Sequence, residues 1–470
     1  MIVHKGKILQ LGFGAVGKSF FEKVTKEISF DENKYFVITK DKDEFEAYVA
    51  LGGVIQNFIL SEIKKENWQE MFSQYLDEGD LLIDFTDNVG TRDFCEWCAE
   101  NNIMYINTGE TDWEDNKYDV YEEYEKKIML QKYYKNTEDK NKYPILLYHG
   151  NNPGLVSHFV KAGIDYISKK QFKKDKEIKR LLKESKYNEI AKRLRVKMIH
   201  INDIDSQVMK ANFGENVMPN SWNINSFWYE MLSNAAFSVG VHEKNDYHEK
   251  ENGYVKLNQC AIKKRWRTYY PNGVFNGYMV PHEEMLTIAK LLEIKEENKT
   301  IYRPSVMFLY SPCDSAMGFL DKLKNDSIET ENAFEKYAYP MDWRIIYPED
   351  TKSGTEYVGV LLLGENFNPV WVGNRIKQDF LFKDKKHSDW QTPTITPVAM
   401  SALAGVCWML KNKDKGGIYF PEDIEDYSYI LKIAEKYISK TIYKTFTKEE
   451  VQDELKVDLS DPRTKNLIIE

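Results

Sequence analysis

A chain of 470 residues exceeds what one hydrophobic core supports, so at least two domains are expected. With 42% apolar and 30% charged residues and a net charge of −9, it is a globular chain whose acidic balance disfavours nucleic acid and suits cationic or neutral partners. No run of 18 apolar residues predicts a membrane span, the N-terminus lacks the apolar stretch of a secretion signal, and five cysteines make no even disulfide framework, so a cytoplasmic location is expected.

The chain opens with an apolar strand over 7–11, then Gly12, Gly14 and Gly17 spaced G-x-G-x-x-G, then Phe20, Phe21 and Val24 at helical spacing. Strand, glycine turn and helix are the context a dinucleotide fingerprint requires. Gly12 allows the tight turn, Gly14 lets the backbone approach a pyrophosphate, and Gly17 packs helix on strand; the helix N-terminus then meets the phosphates. A second strand, Tyr35–Thr39, follows, with Asp41 just beyond it to receive the adenine ribose. No arginine lies nearby to hold a 2′-phosphate, which favours NAD over NADP.

Further strands are predicted at 54–58, 81–85, 103–106 and 144–149, with helices at 15–28, 44–51, 62–77 and 91–101. This alternation predicts an α/β fold with a doubly wound parallel sheet over 1–152. Ligands gather at the carboxyl ends of such strands, which singles out Asp84, Thr86 and Asp87, then Asn107, Thr108 and Glu110, and finally His149–Gly154. Asp84 and Glu110 are candidates for a cationic substrate group. Asn152 is expected to project its amide toward the cofactor cleft, with Pro153 in the first turn of the next helix. Cofactor contacts are expected from Gly12, Gly14, Ala15, Val16, Gly17, Thr39, Asp41, Thr86, Thr108 and Asn152. Cys95 and Cys98 form a C-x-x-C with no second pair and read as helix residues, so no metal site is expected.

The Lys- and Arg-rich stretch 168–197 reads as a solvated helix, lacking the interleaved aromatics of a nucleic-acid surface. Strands at Val196–Ile201, Gly277–Val280, Ser305–Leu309 and Tyr357–Leu363 lack helical alternation. They predict a mixed, largely antiparallel α+β substrate and dimerisation domain over 153–392. The apolar Thr396–Leu410 helix must be buried, and 393–470 is expected to return as a helical segment to the nucleotide-binding domain. Thr447, with Glu450 three residues on, predicts a capping box.

The glycine fingerprint, together with Gly150-Asn-Asn-Pro-Gly154, His158-Phe-Val-Lys161, Asn220-Ser-Trp222, Gly240-Val-His-Glu243 and Pro281-His282-Glu283, resembles bacterial-type homospermidine synthase, within the saccharopine dehydrogenase-like oxidoreductases. The resemblance covers nearly the whole chain. It implies a homodimeric NAD-dependent enzyme that condenses two putrescines to homospermidine and ammonia: one amine is oxidised to an imine, a second adds, and the product imine is reduced by the same cofactor. It also implies that Trp222 holds a cation by its indole face, an attraction of about 2 kcal/mol when desolvated. Glu230, two helical turns later, would share that face. His282 would titrate near neutrality and move a proton. Asp203 and Glu356 are the remaining acidic candidates, and His242 and Glu243 serve either the site or their loop. A carboxyspermidine- or saccharopine-type dehydrogenase is the alternative, disfavoured by the scarcity of arginine after residue 200, since carboxylate substrates call for arginine forks. A non-enzymatic nucleotide sensor is the third reading.

Overall fold

A computed structural model describes residues 1–87, 89–113, 134, 141–211, 213, 217–243, 245–247, 253–324, 342–346, 350–381 and 390–469. The chain divides into two compact units, Met1–Leu155 with Leu381–Ile438, and Val156–Phe380 with Ser439–Glu470.

The first unit is built on a seven-stranded parallel sheet. From one edge its strands are Phe58–Leu60, Tyr35–Thr39, Ile8–Leu11, Leu81–Asp84, Met104–Asn107, Pro144–Leu146 and Gly417–Tyr419. The first six follow the doubly wound order 3-2-1-4-5-6, which reverses beside Ile8–Leu11. Every residue of Ile8–Leu11, Leu81–Asp84 and Met104–Asn107 is buried, as a parallel sheet covered on both faces demands. Element boundaries differ most from the sequence expectation at two places. Residues 55–57 form a 3₁₀ turn, because Asn57 donates its amide to the carbonyls of Glu32 and Asn33, and the strand begins at Phe58. The helix expected from 62 spans only Trp68–Tyr75, because the Asn67 side chain bonds Lys64 N and Glu62 O and holds the preceding residues in a turn. The helix Ile395–Lys411, with thirteen of its residues buried, packs on Ala15–Glu27 and the helix Tyr427–Ala434 within this same unit.

The second unit is organised on a mixed sheet. Its main path runs Ile442–Thr445, Val370–Lys377, Thr355–Gly364, Val196–Asp205, Ser305–Ser311, Gly273–Val280, Arg265–Tyr270 and Ile468–Ile469. Only Val196–Asp205 and Ser305–Ser311 pair in parallel along this path. One face carries the core: Met198, Ile204, Met307, Leu309, Leu361 and Trp371. Residues 439–470 therefore do not join the nucleotide-binding unit, as expected for all of 393–470. They add strands to both ends of this second sheet, and Val451 and Leu455 enter its core. Thr447 caps the helix Lys448–Leu455 by accepting from Glu450 N, but the Glu450 carboxylate accepts from the Tyr269 hydroxyl instead of closing the box. The basic stretch forms two short helices, Lys176–Lys183 and Tyr187–Leu194, laced by Arg180–Glu177, Arg180–Glu184 and Arg193–Asp175 pairs.

Candidate active site

In the first unit the strand order reverses where Gly12 and Phe85 leave neighbouring strands. Gly12 sits at φ +80, and a Cβ there would lie 2.8 Å from the Phe85 carbonyl oxygen. A Cβ at Gly17 would lie 2.5 Å from the Gly12 carbonyl oxygen, whereas one at Gly14 would meet nothing within 4 Å. The protein itself therefore requires a bare backbone at 12 and 17, and the bareness at 14 serves something the protein does not supply. The helix Ala15–Glu27 starts there with no side-chain cap and no acidic residue in its first turn, so Ala15, Val16 and Gly17 present unbonded N–H groups and a positive dipole end. The adjoining cleft, about 510 Å³, is lined by Gly12, Gly14, Thr39, Asp41, Glu44 and Thr86 among others. That set fits a dinucleotide: glycine backbone and helix end for the pyrophosphate, carboxylates for ribose hydroxyls.

Asp41 stands exposed at the rim, and its carboxylate accepts from Asp43 N at 2.9 Å. Glu44, unremarked in the sequence, also faces the cleft, fixed by Lys18 at 2.7 Å. Asp84 is buried, and its carboxylate accepts from Thr86 N, the Thr86 hydroxyl and the Tyr105 hydroxyl. Burial pushes its carboxyl up to about 6 against those hydrogen bonds. Its oxygens are engaged in shaping the turn that presents Thr86. Glu110 accepts from the Tyr148 hydroxyl. Asn107 donates to Gly109 O and accepts from Tyr148 N, tying two strand-end loops together and setting Thr108 beside Gly150. Asn152 lies in the turn between Gly150 and the helix beginning at Leu155, preceding a cis bond to Pro153. Pro153 is thus outside the helix whose first turn it was expected to occupy.

In the second unit, the sheet face opposite the core changes from apolar to acidic and aromatic. Along Val196–Asp205 the two-residue period sends Met198 and Ile204 to the core and Asp203 and Asp205 to the other face. Tyr310 pairs across from Asp203, and Glu356 across from Asp205. All four are at least nine-tenths buried. Asp205 accepts from Gln207 N, Gln207 Nε2 and the Ser221 hydroxyl, and burial raises its carboxyl above the usual range. Trp222, next to Ser221, donates its indole N–H to the Tyr310 hydroxyl at 3.1 Å.

Glu230 lies in the last turn of the helix Ile224–Leu232 that Trp222 precedes. Its carboxylate is 3.8 Å from His282 Nε2. His282 stacks on Phe308 with ring centroids 4.5 Å apart. Its Nδ1 touches Glu284 and lies 3.5 Å from Glu283. Burial alone would lower this imidazole, but Glu284, Glu283 and Glu230 together lift it to about 10. Glu284, fully buried, is itself raised, so the pair keeps a proton through neutrality. The ring of carboxylates therefore favours the protonated imidazole, above the near-neutral range expected of a free histidine. The donor atoms of His282, Glu283 and Glu284 lie within 4.8 Å of one another.

Asp205, Tyr310, Phe308, Glu283 and Glu284 were not singled out from sequence. Glu283-Glu284 directly after His282 at a helix start was a usable signal; the sheet residues are brought in by register alone. His242 and Glu243 serve their loop. His242 bonds Pro462 O and burial drops it to about 4, while Glu243 accepts from Ser305 and Thr464. The guanidinium of Arg265 is taken by Asp321 and the Tyr278 ring.

A nucleotide cleft in one unit accompanies an acid-and-aromatic face in the other, as a dinucleotide-dependent enzyme requires. The chain belongs to the saccharopine dehydrogenase family: the family's NADP binding domain matches residues 8–142 and its C-terminal domain residues 150–440. It is similar to homospermidine synthase of Mesorhizobium japonicum, 24% identical over 99% of this chain and 96% of that one. It is also similar to homospermidine synthase of Blastochloris viridis, 25% identical over 93% and 90%. The homospermidine synthase structure from Legionella pneumophila in complex with NAD shares the fold, with a TM-score of 0.81 and 24% identity over 100% of this chain and 99% of that one. Saccharopine dehydrogenase from Saccharomyces cerevisiae shares it more distantly, at a TM-score of 0.56. No helix among the described residues is long and apolar enough to cross a membrane.

Proposed function

We propose that the chain is a homospermidine synthase, condensing two putrescines to homospermidine with release of ammonia. The observation that carries this reading is the second unit's polar face. It sets Asp203, Asp205 and Glu356 beside a phenol and an indole, and Glu230, Glu283 and Glu284 around His282, an acidic excess that attracts a dication and repels a carboxylate. Full-length similarity to two homospermidine synthases supports it.

NAD is the cofactor, held by the bare backbone at Gly14, the helix end at Ala15–Gly17 and the ribose-facing Asp41. The cleft's five carboxylates against three lysines oppose an added phosphate. When bound, NAD accepts hydride from the amine-bearing carbon and later returns it, so no cofactor is consumed. The chain's own groups do the rest. Glu230 takes the proton that a substrate ammonium must lose before its carbon can be oxidised. Trp222 holds the reacting or departing cation through its π-face. His282, its imidazolium favoured by the surrounding carboxylates, holds Glu230 and Glu284 in place and acts as a hydrogen-bond donor. Asp203 and Glu356 bind the distal ammonium. Glu110 and Asn152, at strand ends of the nucleotide unit, are assigned to an ammonium and an amide contact. Burial of Asp203, Glu284 and Glu356 helps keep water from an iminium that would otherwise hydrolyse to an aldehyde.

A cytoplasmic homodimer is the expected form, in keeping with five buried free cysteines. Incubating the protein with putrescine and NAD alone tests the reading. Mass spectrometry is expected to show homospermidine and ammonia in equal amounts with no accumulated NADH; the absence of both products overturns it.

A further inference from the structure

Trp222 acts through the direction its ring faces, and a tryptophan on a short loop does not choose that direction by itself. Its flanks are pinned: Ser221 is bonded to Asp205, and Asn220 Nδ2 reaches the Trp222 carbonyl at 3.5 Å. The indole is fixed by Tyr310. The Tyr310 oxygen accepts the Trp222 N–H, and the two rings meet edge-on with centroids 6.5 Å apart. Phe227 closes the triangle, 6.3 Å from Trp222 and 6.0 Å from Tyr310. Tyr310 is itself immobile, 3% exposed in the middle of the second unit's sheet and paired on both sides by Asp203 and Tyr278. Burial, then Asp203 and Asp205, holds its hydroxyl far above the ordinary tyrosine range, so the phenol never ionises in use and always offers a neutral acceptor.

We propose that Tyr310 is a positioning residue for the reaction: by accepting the indole N–H it sets the Trp222 face against the substrate ammonium. Cation–π attraction needs the cation over the ring and not at its edge, where the quadrupole is reversed. A ring free to turn about χ2 forfeits that attraction for part of its time. The inference rests on the diamine reading of this face.

The test is a double-mutant cycle on putrescine binding, measured by calorimetry on the full chain saturated with NADH, with turnover as a second readout. Tyr310→Phe keeps the ring and deletes the acceptor; Trp222→Phe keeps an aromatic face and deletes the donor. Tyr310→Phe is expected to weaken putrescine binding about tenfold in the wild-type background. In the Trp222→Phe background it is expected to cost nothing, because the bond it serves is already gone. A merely structural tyrosine would cost the same in both backgrounds, and that result, or wild-type affinity in Tyr310→Phe, overturns the proposal. Should Tyr310→Phe lose NADH binding, and with it the fold, the proposal is equally overturned, since the lost hydroxyl then holds more than an indole. Putrescine binding without homospermidine formation would fail the synthase reading while leaving the cycle readable.

Discussion

The nucleotide cleft and the acidic face are built by opposite means. The cleft works through what is missing: three absent side chains and the N–H groups of one helix end, all within Gly12–Gly17. The acidic face works through what is present, and its groups come from Val196–Asp205, Ser305–Ser311, Thr355–Gly364, Ile224–Leu232 and the turn at His282. A backbone device tolerates change everywhere except at its glycines. A side-chain device spreads its vulnerability over distant stretches, and each charge there depends on the others. Removing one carboxylate from the ring around His282 alters the proton affinity of the rest, whereas adding a methyl at Gly14 alters nothing but the space for a ligand.

The sharpest way to break this contrast is at Glu230. Glu230→Gln is expected to lower homospermidine formation about a hundredfold, the usual worth of a positioned proton acceptor, while NAD affinity stays at the wild-type value. A parallel loss of NAD affinity would show the two regions to be one device. Trp222→Ala comes next. Losing about 2 kcal/mol of cation–π attraction is expected to reduce kcat/KM for putrescine about thirtyfold. Steady-state kinetics on both variants reads the difference.

The same contrast explains what the sequence revealed. A backbone device is local, so Gly12, Gly14 and Gly17, flanked by Ile8–Leu11 and Phe20, announce the first unit unaided, and the alternation announces its parallel sheet, though not the edge strand Gly417–Tyr419. A side-chain device is assembled by register. Nothing near Tyr310 tells that it lies opposite Asp203, and nothing near Asp205 tells that Glu356 is its neighbour. Trp222, Glu230 and His282 were reachable only through family resemblance, and the carboxylates that raise His282, Glu230 and Glu284 among them, are brought to it by the fold. Asp84 is the converse case: a strand-end acid in a ligand-rich position also shapes its turn, its carboxylate accepting from Thr86 and Tyr105. The return of 439–470 to the second sheet carried no local signal at all.

Within the cleft, two glycines of one motif are expected to behave differently. Gly17→Ala drives a Cβ to 2.5 Å from a backbone oxygen and is expected to cost about 2 kcal/mol of stability, read as a lower unfolding midpoint. Gly14→Ala meets no protein atom, so the apo midpoint should hold while NAD binds roughly tenfold more weakly, about 1.4 kcal/mol. Equal midpoint losses in the two variants would contradict the division between glycines for the fold and a glycine for the ligand.

The smallest effect on rate concerns pH, and it separates a cationic His282 from a proton shuttle. Its folded-state proton affinity is raised to about 10 from the ordinary 6.5. A raised basic group confers stability that is complete below pH 6.5 and lost as pH climbs through 10. His282→Gln should therefore depress the unfolding midpoint strongly at pH 7 and much less at pH 10.5, because at the higher pH the wild type has surrendered the same charge. The wild-type profile of kcat/KM should cross pH 6.5 without an inflection belonging to this residue. A shuttle demands the reverse: an inflection near 6.5 that vanishes in His282→Gln, with a midpoint difference that does not change between pH 7 and 10.5. Because Glu230, Glu283 and Glu284 all face the ring, Glu284→Gln in the wild-type background should pull the imidazole back toward its ordinary range and bring that inflection into view.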